Sequence, residues 1–151
     1  MCMFIGQPGK NQASIIINGY QYPNNHENYY EANWLNMTLT LKTPEYQWST
    51  TAPAMLACEM YRFIDWLQAI AENRATSNFF DCEEPMIYFS LDEVTDFGYI
   101  FTFHLSLDFN PPQNNNHETA FTMEIDKEQW QEWIIELKSY AVKCPVNYII
   151  N

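Results

Sequence analysis

A strict alternation of apolar and polar side chains in residues 35–42 constrains the fold more than any other feature of this chain. The apolar members of the alternation are Leu35, Met37, Leu39 and Leu41. A period of two residues predicts a strand with one face in a core and the other in solvent. Pro44 ends this strand, because proline has no N–H to donate to a neighbouring strand. A second extended run follows at residues 46–50.

Residues 33–68 include these two extended runs and the beginning of the longest amphipathic helix. Apolar residues recur there at steps of three and four, the spacing of one helix face, and they are Leu56, Met60, Phe63, Ile64, Leu67 and Ile70. Pro53 is expected in the first helical turn, where its missing N–H is not needed, with Thr50 or Thr51 as the N-cap. Two strands therefore lead into a helix that can pack across them.

The same two periods predict the other elements. Further strands are expected within residues 14–22, 79–91, 97–109 and 118–125, and the longest alternation is that of residues 97–109. Asp126 is placed as the N-cap of a last helix, with Gln129 as its capping-box partner. The order β-β-β-α-β-β-β-α predicts an α+β fold, with a single antiparallel sheet and two main helices packed on one face. Residues 1–151 are predicted to form one domain.

Charge is distributed unevenly along the chain. The formal net charge is −12, and residues 75–126 contain no Lys or Arg. The acidic residues of that span are Asp81, Glu83, Glu84, Asp92, Glu93, Asp96, Asp108, Glu118, Glu124 and Asp126. A segment of one sign repels nucleic acid and anionic membranes, and it attracts a basic partner. Solubility alone is the alternative explanation for an acidic surface.

The sequence has no recognisable targeting or membrane-spanning segment. No apolar run is long enough to cross a bilayer, and residues 1–6 lack the basic segment and apolar core of a signal peptide. We therefore expect a cytoplasmic location. The four cysteines form no C-x-x-C pair, so Cys2, Cys58, Cys82 and Cys144 are expected to be free thiols.

Signals for catalysis are weak. The sequence contains no Walker loop, no glycine-rich dinucleotide motif, no H-E-x-x-H and no nucleophile elbow. His104, Ser106 and Asp108 share one face of a strand, but residues two apart are separated by about 7 Å, too far for a catalytic triad. Glu83 and Glu84 point to opposite sides of an extended chain and form no carboxylate pair. We predict no catalytic residue, no metal site and no cofactor.

Several segments together resemble the WapI-type immunity proteins, bacterial proteins encoded beside polymorphic or contact-dependent toxins. The segments are residues 19–23 (GYQYP), 33–35 (NWL), 63–67 (FIDWL), 84–85 (EP) and 107–109 (LDF), with Trp48 and Glu59 between them. The resemblance spans residues 14–145, nearly the whole chain. It implies that the chain has no enzymatic activity and that it binds and neutralises a cognate toxin domain in the cytosol.

Two functional hypotheses follow. In the first, the chain is an immunity protein that occludes a toxin C-terminal domain stoichiometrically, through an outer sheet face and acidic turns. The candidate toxin-binding residues are Asp92, Glu93, Asp96, His104, Asp108, Glu118 and Glu124, with Glu83 and Glu84 as second choices. A toxin that acts on nucleic acid is basic where it binds its substrate, so a basic nuclease fits this surface.

High like charge opposes self-association, so the free chain is expected to be a monomer. In the second hypothesis, the chain is a small-ligand-binding or hydrolytic α+β domain. Such a domain needs convergent polar groups in an apolar pocket, which would lie between the sheet and the helices.

Overall fold

The structure, a computed structural model, describes residues 3–25, 27–114 and 116–148. Its strands form two antiparallel sheets of four strands each. The first sheet contains, in spatial order, β1 (Ile5–Gly6), β2 (Gln12–Tyr20), β3 (Trp34–Lys42) and β4 (Gln47–Leu56). The second contains β5 (Phe79–Asp81), β6 (Ile87–Val94), β7 (Gly98–Ser106) and β8 (Glu118–Asp126). The helices are α1 (Tyr29–Asn33), α2 (Ala57–Ala71) and α3 (Lys127–Lys143), and a 3-10 turn (Leu107–Phe109) follows β7.

The α+β class and the antiparallel pairing are confirmed, but the prediction of one sheet with two helices is wrong in detail. Strand β1 lies beside β8 without a ladder between them. Side chains join the two edges instead: Gln7 and Asn11 donate to the carbonyl oxygens of Glu124 and Thr122 at 3.2 and 3.1 Å. A ladder would need backbone groups at this edge to face each other, so the strands divide into two sheets.

Helix α1 lies in the asparagine-rich segment that the sequence analysis left without regular structure. The side chain of Asn28 accepts a hydrogen bond from the backbone N–H of Glu31 at 3.2 Å, which is a standard N-cap. The helix has only five residues, too few for an apolar periodicity to be visible in the sequence.

Pro53 lies in strand β4, so the predicted start of the long helix is wrong. Strand β4 is at the edge of its sheet, where a residue without an N–H is tolerated. Helix α2 begins at Ala57 and is capped by a buried carboxylate in place of a threonine. Glu59 accepts the backbone N–H of Leu56 at 2.8 Å and that of Glu83 at 2.6 Å. Burial raises the pKa of Glu59, and these two hydrogen bonds oppose that shift.

A continuous apolar core joins both sheets to helices α2 and α3. The inward residues of β7 are at most 6% exposed, as the alternation predicted, and they are Tyr99, Phe101, Phe103 and Leu105. The predicted alternation of residues 97–109 fails at Phe97, which precedes β7, and at Leu107, which lies in the 3-10 turn, since both are exposed. The rings of Tyr99, Phe101 and Phe103 contact Trp130 and Trp133 of α3. The indole N–H of Trp130 donates to the Leu67 carbonyl at 3.0 Å, which connects α3 to α2. The helices therefore cover one face of the second sheet.

Asp126 caps helix α3 as predicted, because its Oδ1 accepts the N–H of Gln129 at 2.7 Å. The side chain of Gln129 does not complete a capping box. It donates to the carbonyl of Gly6 at 3.0 Å and accepts the Gly6 N–H at 3.3 Å. Helix α3 therefore holds strand β1 in place.

The segment after α3 docks against α1 through two asparagines. Asn33 is fully buried, and its side chain donates to the carbonyl oxygens of Tyr29 and Asn147 at 2.8 and 2.9 Å. It also accepts the backbone N–H of Asn147 at 2.7 Å. The side chain of Asn147 donates to the Ala32 carbonyl at 2.9 Å. The extended tail thus lies at the end of the first sheet where α1 connects β2 to β3.

Cys58, Cys82 and Cys144 are free thiols, and Cys2 lies outside the described residues. Burial raises the pKa of the Cys82 and Cys144 thiols, which keeps both in the unreactive protonated form. Among the helices of the described ranges, none has the length and apolar character to cross a membrane.

Candidate interaction face

The face of the second sheet that points away from the helices carries most of the predicted site residues. We call it the outer face, and it consists of Tyr88, Ser90, Asp92 and Glu93 of β6, Ile100, Thr102 and His104 of β7, and Glu118, Ala120, Thr122 and Glu124 of β8. The cross-strand register aligns Ser90 with Thr102 and Thr122, and Tyr88 with His104 and Ala120. The β8 members are exposed, so this face is open to solvent.

The charge of the chain is concentrated on this sheet. All four of its strands lie within residues 75–126, the span without Lys or Arg. The outer side of the first sheet differs, because it carries a neutral row of hydroxyl groups. There Thr38 contacts Thr51 at 2.7 Å and Thr40 contacts Ser49 at 2.8 Å. The first sheet therefore presents a row of hydroxyl groups with the exposed Lys42 at its end, and the second sheet presents an acidic surface.

A hydrogen-bond network across three strands fixes the centre of the outer face. Asp92 accepts the Ser90 hydroxyl at 2.8 Å through Oδ1 and the Thr102 hydroxyl through Oδ2. Ser90 also lies 2.8 Å from Nε2 of His104, and Thr102 lies 2.8 Å from the Thr122 hydroxyl. Ser90 and Thr102 are each only 3% exposed, so the Asp92 carboxylate is held from below by buried groups.

The carboxylate determines the direction of every bond in this network, because it can only accept. Ser90 donates its single hydrogen to Asp92, so Nε2 of His104 donates to the serine oxygen. The imidazole is therefore protonated on Nε2, and its ring stacks on Tyr88 with centroids 4.2 Å apart. Partial burial lowers the pKa of His104, against the opposing effect of Asp92 and Glu118. The neutral ring thus presents Nδ1 as an acceptor.

The contact between Ser90 and His104 is not a nucleophile–base pair. A general base offers a lone pair to the serine hydroxyl, whereas here the imidazole donates and the hydroxyl is bound to Asp92. The spacing of His104, Ser106 and Asp108 does not produce a triad either. Ser106 donates to the Pro85 carbonyl at 2.8 Å, and Asp108 is exposed in the 3-10 turn.

The space between the second sheet and the helices, where the ligand-binding hypothesis places a pocket, is filled with aromatic rings. Phe101, Trp130 and Trp133 are at most 1% exposed, and their ring centroids lie 5.1 to 5.9 Å apart. Within residues 3–25, 27–114 and 116–148, no group of three or more His, Cys, Asp or Glu side chains is placed to hold a metal ion.

The remaining predicted residues border the outer face at its two ends. Asp96 is exposed in the turn between β6 and β7, and Asp108 is exposed after the far end of β7. Glu83 and Glu84 precede β6 at that far end, next to the Pro85 carbonyl that Ser106 contacts. The structure therefore brings Asp92, Glu93, His104, Glu118 and Glu124 onto one face and leaves the other four around its rim.

The roles of Tyr88, Ser90 and Thr102 could not be predicted from the sequence. Alternation placed all three on the polar side of their strands, and this position was the sequence signal by which they could have been found. Their partners depend on the register between β6 and β7, and that register shifts at a bulge between Leu91 and Glu93. A bulge of this kind has no signature in this stretch of sequence.

Comparison with known proteins establishes the family. The model of the Immunity protein WapI-like family matches residues 3–145. The chain belongs to this family. No curated protein and no solved structure matches the chain. As a WapI-like chain it has an immunity role, and a toxin is the partner that such a role requires.

Proposed function

We propose that this chain binds a cognate bacterial toxin domain in the cytoplasm and neutralises it by stoichiometric occlusion, without any catalytic activity of its own. The family match over residues 3–145 is the main support for this function. The outer face of the second sheet is the surface that we assign to the toxin. Charge, exposure and preorganisation support that choice.

The charge of this face favours a basic partner. Its strands contribute carboxylates and no Lys or Arg, so the field that these strands produce is negative. Such a field raises association rates with an oppositely charged surface and disfavours partners of like charge. A basic nuclease domain, whose own substrate is polyanionic, is the toxin class that fits best.

The hydrogen bonds of this face support the same proposal. Asp92, Ser90, Thr102 and His104 are already bonded to one another, so little side-chain freedom is lost when a partner binds. The carboxylate oxygens and the Nδ1 atom of His104 are acceptors. A partner that donates hydrogen bonds to them, as Lys and Arg side chains do, therefore fits this face.

The test measures complex formation with the purified toxin C-terminal domain encoded beside the gene. The face variant, Glu93→Gln with Glu118→Gln and Glu124→Gln, is compared with a control variant, Asp65→Asn with Glu128→Gln and Glu132→Gln. All six residues are exposed, and each variant removes three carboxylate charges. We expect a 1:1 complex that inhibits the toxin. We also expect the face variant to associate about tenfold more slowly at low ionic strength, while the control variant changes the rate much less.

Two results would contradict the proposal. Full toxin activity in the presence of a stoichiometric excess of the chain would remove the immunity mechanism. Equal effects of the face and control variants would show that net charge acts alone and that the toxin binds elsewhere.

A further inference from the structure

An open cleft of about 340 Å³ lies where the two sheets meet, at one edge of the outer face. The β1–β2 turn forms one wall with Lys10 and Asn11, and Pro44 of the β3–β4 turn contributes to another. Ile100, Thr122 and Glu124 of the outer face form the floor. The wall is fixed to the floor, because Asn11 donates to the Thr122 carbonyl at 3.1 Å. The cleft is therefore preformed.

A basic side chain of the protein itself already occupies the acidic side of this cleft. The Nζ atom of Lys10 lies 3.7 Å from Oε2 of Glu124, and the two side chains are 67% and 49% exposed. An exposed ion pair of this length is weak and easily exchanged. Among the described residues, Lys10 is the partner that the structure gives to the Glu124 carboxylate, since Gln7 binds the Glu124 backbone instead.

The floor suits the aliphatic part of a long cationic side chain. Ile100 is half-buried and lies between two carboxylates in the cross-strand register, with Glu124 on β8 and Glu93 on β6. Directly opposed residues on neighbouring strands have side chains about 5 Å apart. Lys and Arg place their methylene groups on apolar surface while their charged ends stay with polar groups. The cleft combines both requirements within the reach of one side chain.

We propose that this cleft receives a lysine or arginine side chain of the partner. The aliphatic part of that side chain lies on Ile100 and Pro44, and its cationic group replaces Lys10 at Glu124. The proposal rests on the proposed function for the identity of the partner as a toxin domain. The preference of the cleft for a basic side chain is a property of this chain alone and is tested separately.

The first experiment titrates the full chain with N-acetyl-arginine amide and follows backbone amide shifts by NMR. The neutral isostere N-acetyl-citrulline amide is the ligand control. We expect saturable shifts at Gly9, Lys10, Thr122 and Glu124 with the arginine compound and none with the citrulline compound. Glu124→Gln should weaken this binding about two- to fivefold, because it removes the ionised acceptor of an exposed ion pair. Glu132→Gln, which removes an exposed carboxylate on α3, should not change it.

Lys10→Ala provides the sharper test. If Lys10 competes for the Glu124 carboxylate in the cleft, its removal should tighten binding of the arginine compound about two- to fivefold. This range corresponds to the free energy of an exposed ion pair. Lys138→Ala changes the net charge equally but lies on α3, and it should leave the affinity unchanged. Weaker or equal binding by Lys10→Ala, or equal tightening by Lys138→Ala, would overturn the proposal. So would shifts spread evenly over the outer face.

The second experiment measures association and dissociation with the toxin domain for the same variants. If a neutralising complex forms and neither Glu124→Gln nor Lys10→Ala changes its rates, the cleft proposal fails and the immunity proposal stands. If no toxin domain binds, the immunity proposal fails, and the arginine titration still decides whether the cleft selects basic side chains.

Discussion

Replacing Asn33 by alanine should lower the free energy of unfolding by about 2–4 kcal/mol, a large fraction of the stability of a small protein. Asn33 is fully buried and its side chain makes three hydrogen bonds, two of them to the backbone of Asn147. Each contributes about 1 kcal/mol, and the backbone groups left unpaired add to the loss. Urea unfolding followed by tryptophan fluorescence measures the change. Asn18→Ala is the control, because Asn18 is exposed and makes one side-chain bond, to Thr38.

A double-mutant cycle shows whether the tail is responsible. In a chain that ends at Val146, Asn33 keeps only its bond to Tyr29, so Asn33→Ala should then cost only about 1 kcal/mol. The coupling energy between Asn33 and the tail should therefore be about 1–3 kcal/mol. A cost for Asn33→Ala that is the same in the complete and shortened chains would refute the reasoning.

Three further predictions concern other parts of the fold. Burial lowers the pKa of folded His104, so the unfolded chain takes up this proton first, and stability should fall as the pH drops below about 6.5. Urea titrations between pH 5 and 7.5 should show a smaller fall for His104→Gln, and an identical fall would refute the assignment. Gly98→Ala should cost about 1–3 kcal/mol, because an added Cβ overlaps the Ile125 carbonyl and lies 2.7 Å from the Cα of Asp126. A thermal midpoint equal to that of the wild type would contradict this overlap. Asp126→Ala should cost about 1 kcal/mol through loss of the α3 cap. Asp126→Asn should restore most of that loss in the same urea assay, and equal losses for both variants would argue against the cap.

Periodicity predicted the elements of this fold well wherever burial alone sets the pattern. The alternations in β3 and β7 fell on the core side as expected, since a two-residue period leaves no choice of face once one side is buried. The same rule could not place Pro53, because a proline is compatible with both a first helical turn and an edge strand. Whether β4 lies at an edge depends on the order of strands in space, and that order is not a local property.

The residue types of the outer face could be predicted from the sequence, but the contacts among these residues could not. His104 was expected on a polar strand face and lies there, whereas Asp92 was expected in an acidic turn and lies in strand β6. Their connection through Ser90 depends on strand register, which a bulge changes by one residue. The position of Lys10 beside Glu124 depends on the meeting of the two sheets, because these two residues are more than 100 positions apart in the chain. No local pattern carries that information.

The bond between Gln129 and Gly6 has a consequence for how this protein is made. The two residues are 123 positions apart, so the ribosome must complete β8 and the first turn of α3 before β1 can be held in place. Contacts of such long range fold more slowly than local ones, because distant segments must meet before any stabilisation is gained. Until α3 has left the ribosome, the phenylalanines of β7 also lack the tryptophans that cover them. In a nascent chain shorter than this, the core side of the second sheet therefore remains uncovered, and the fold forms only after α3 has been made.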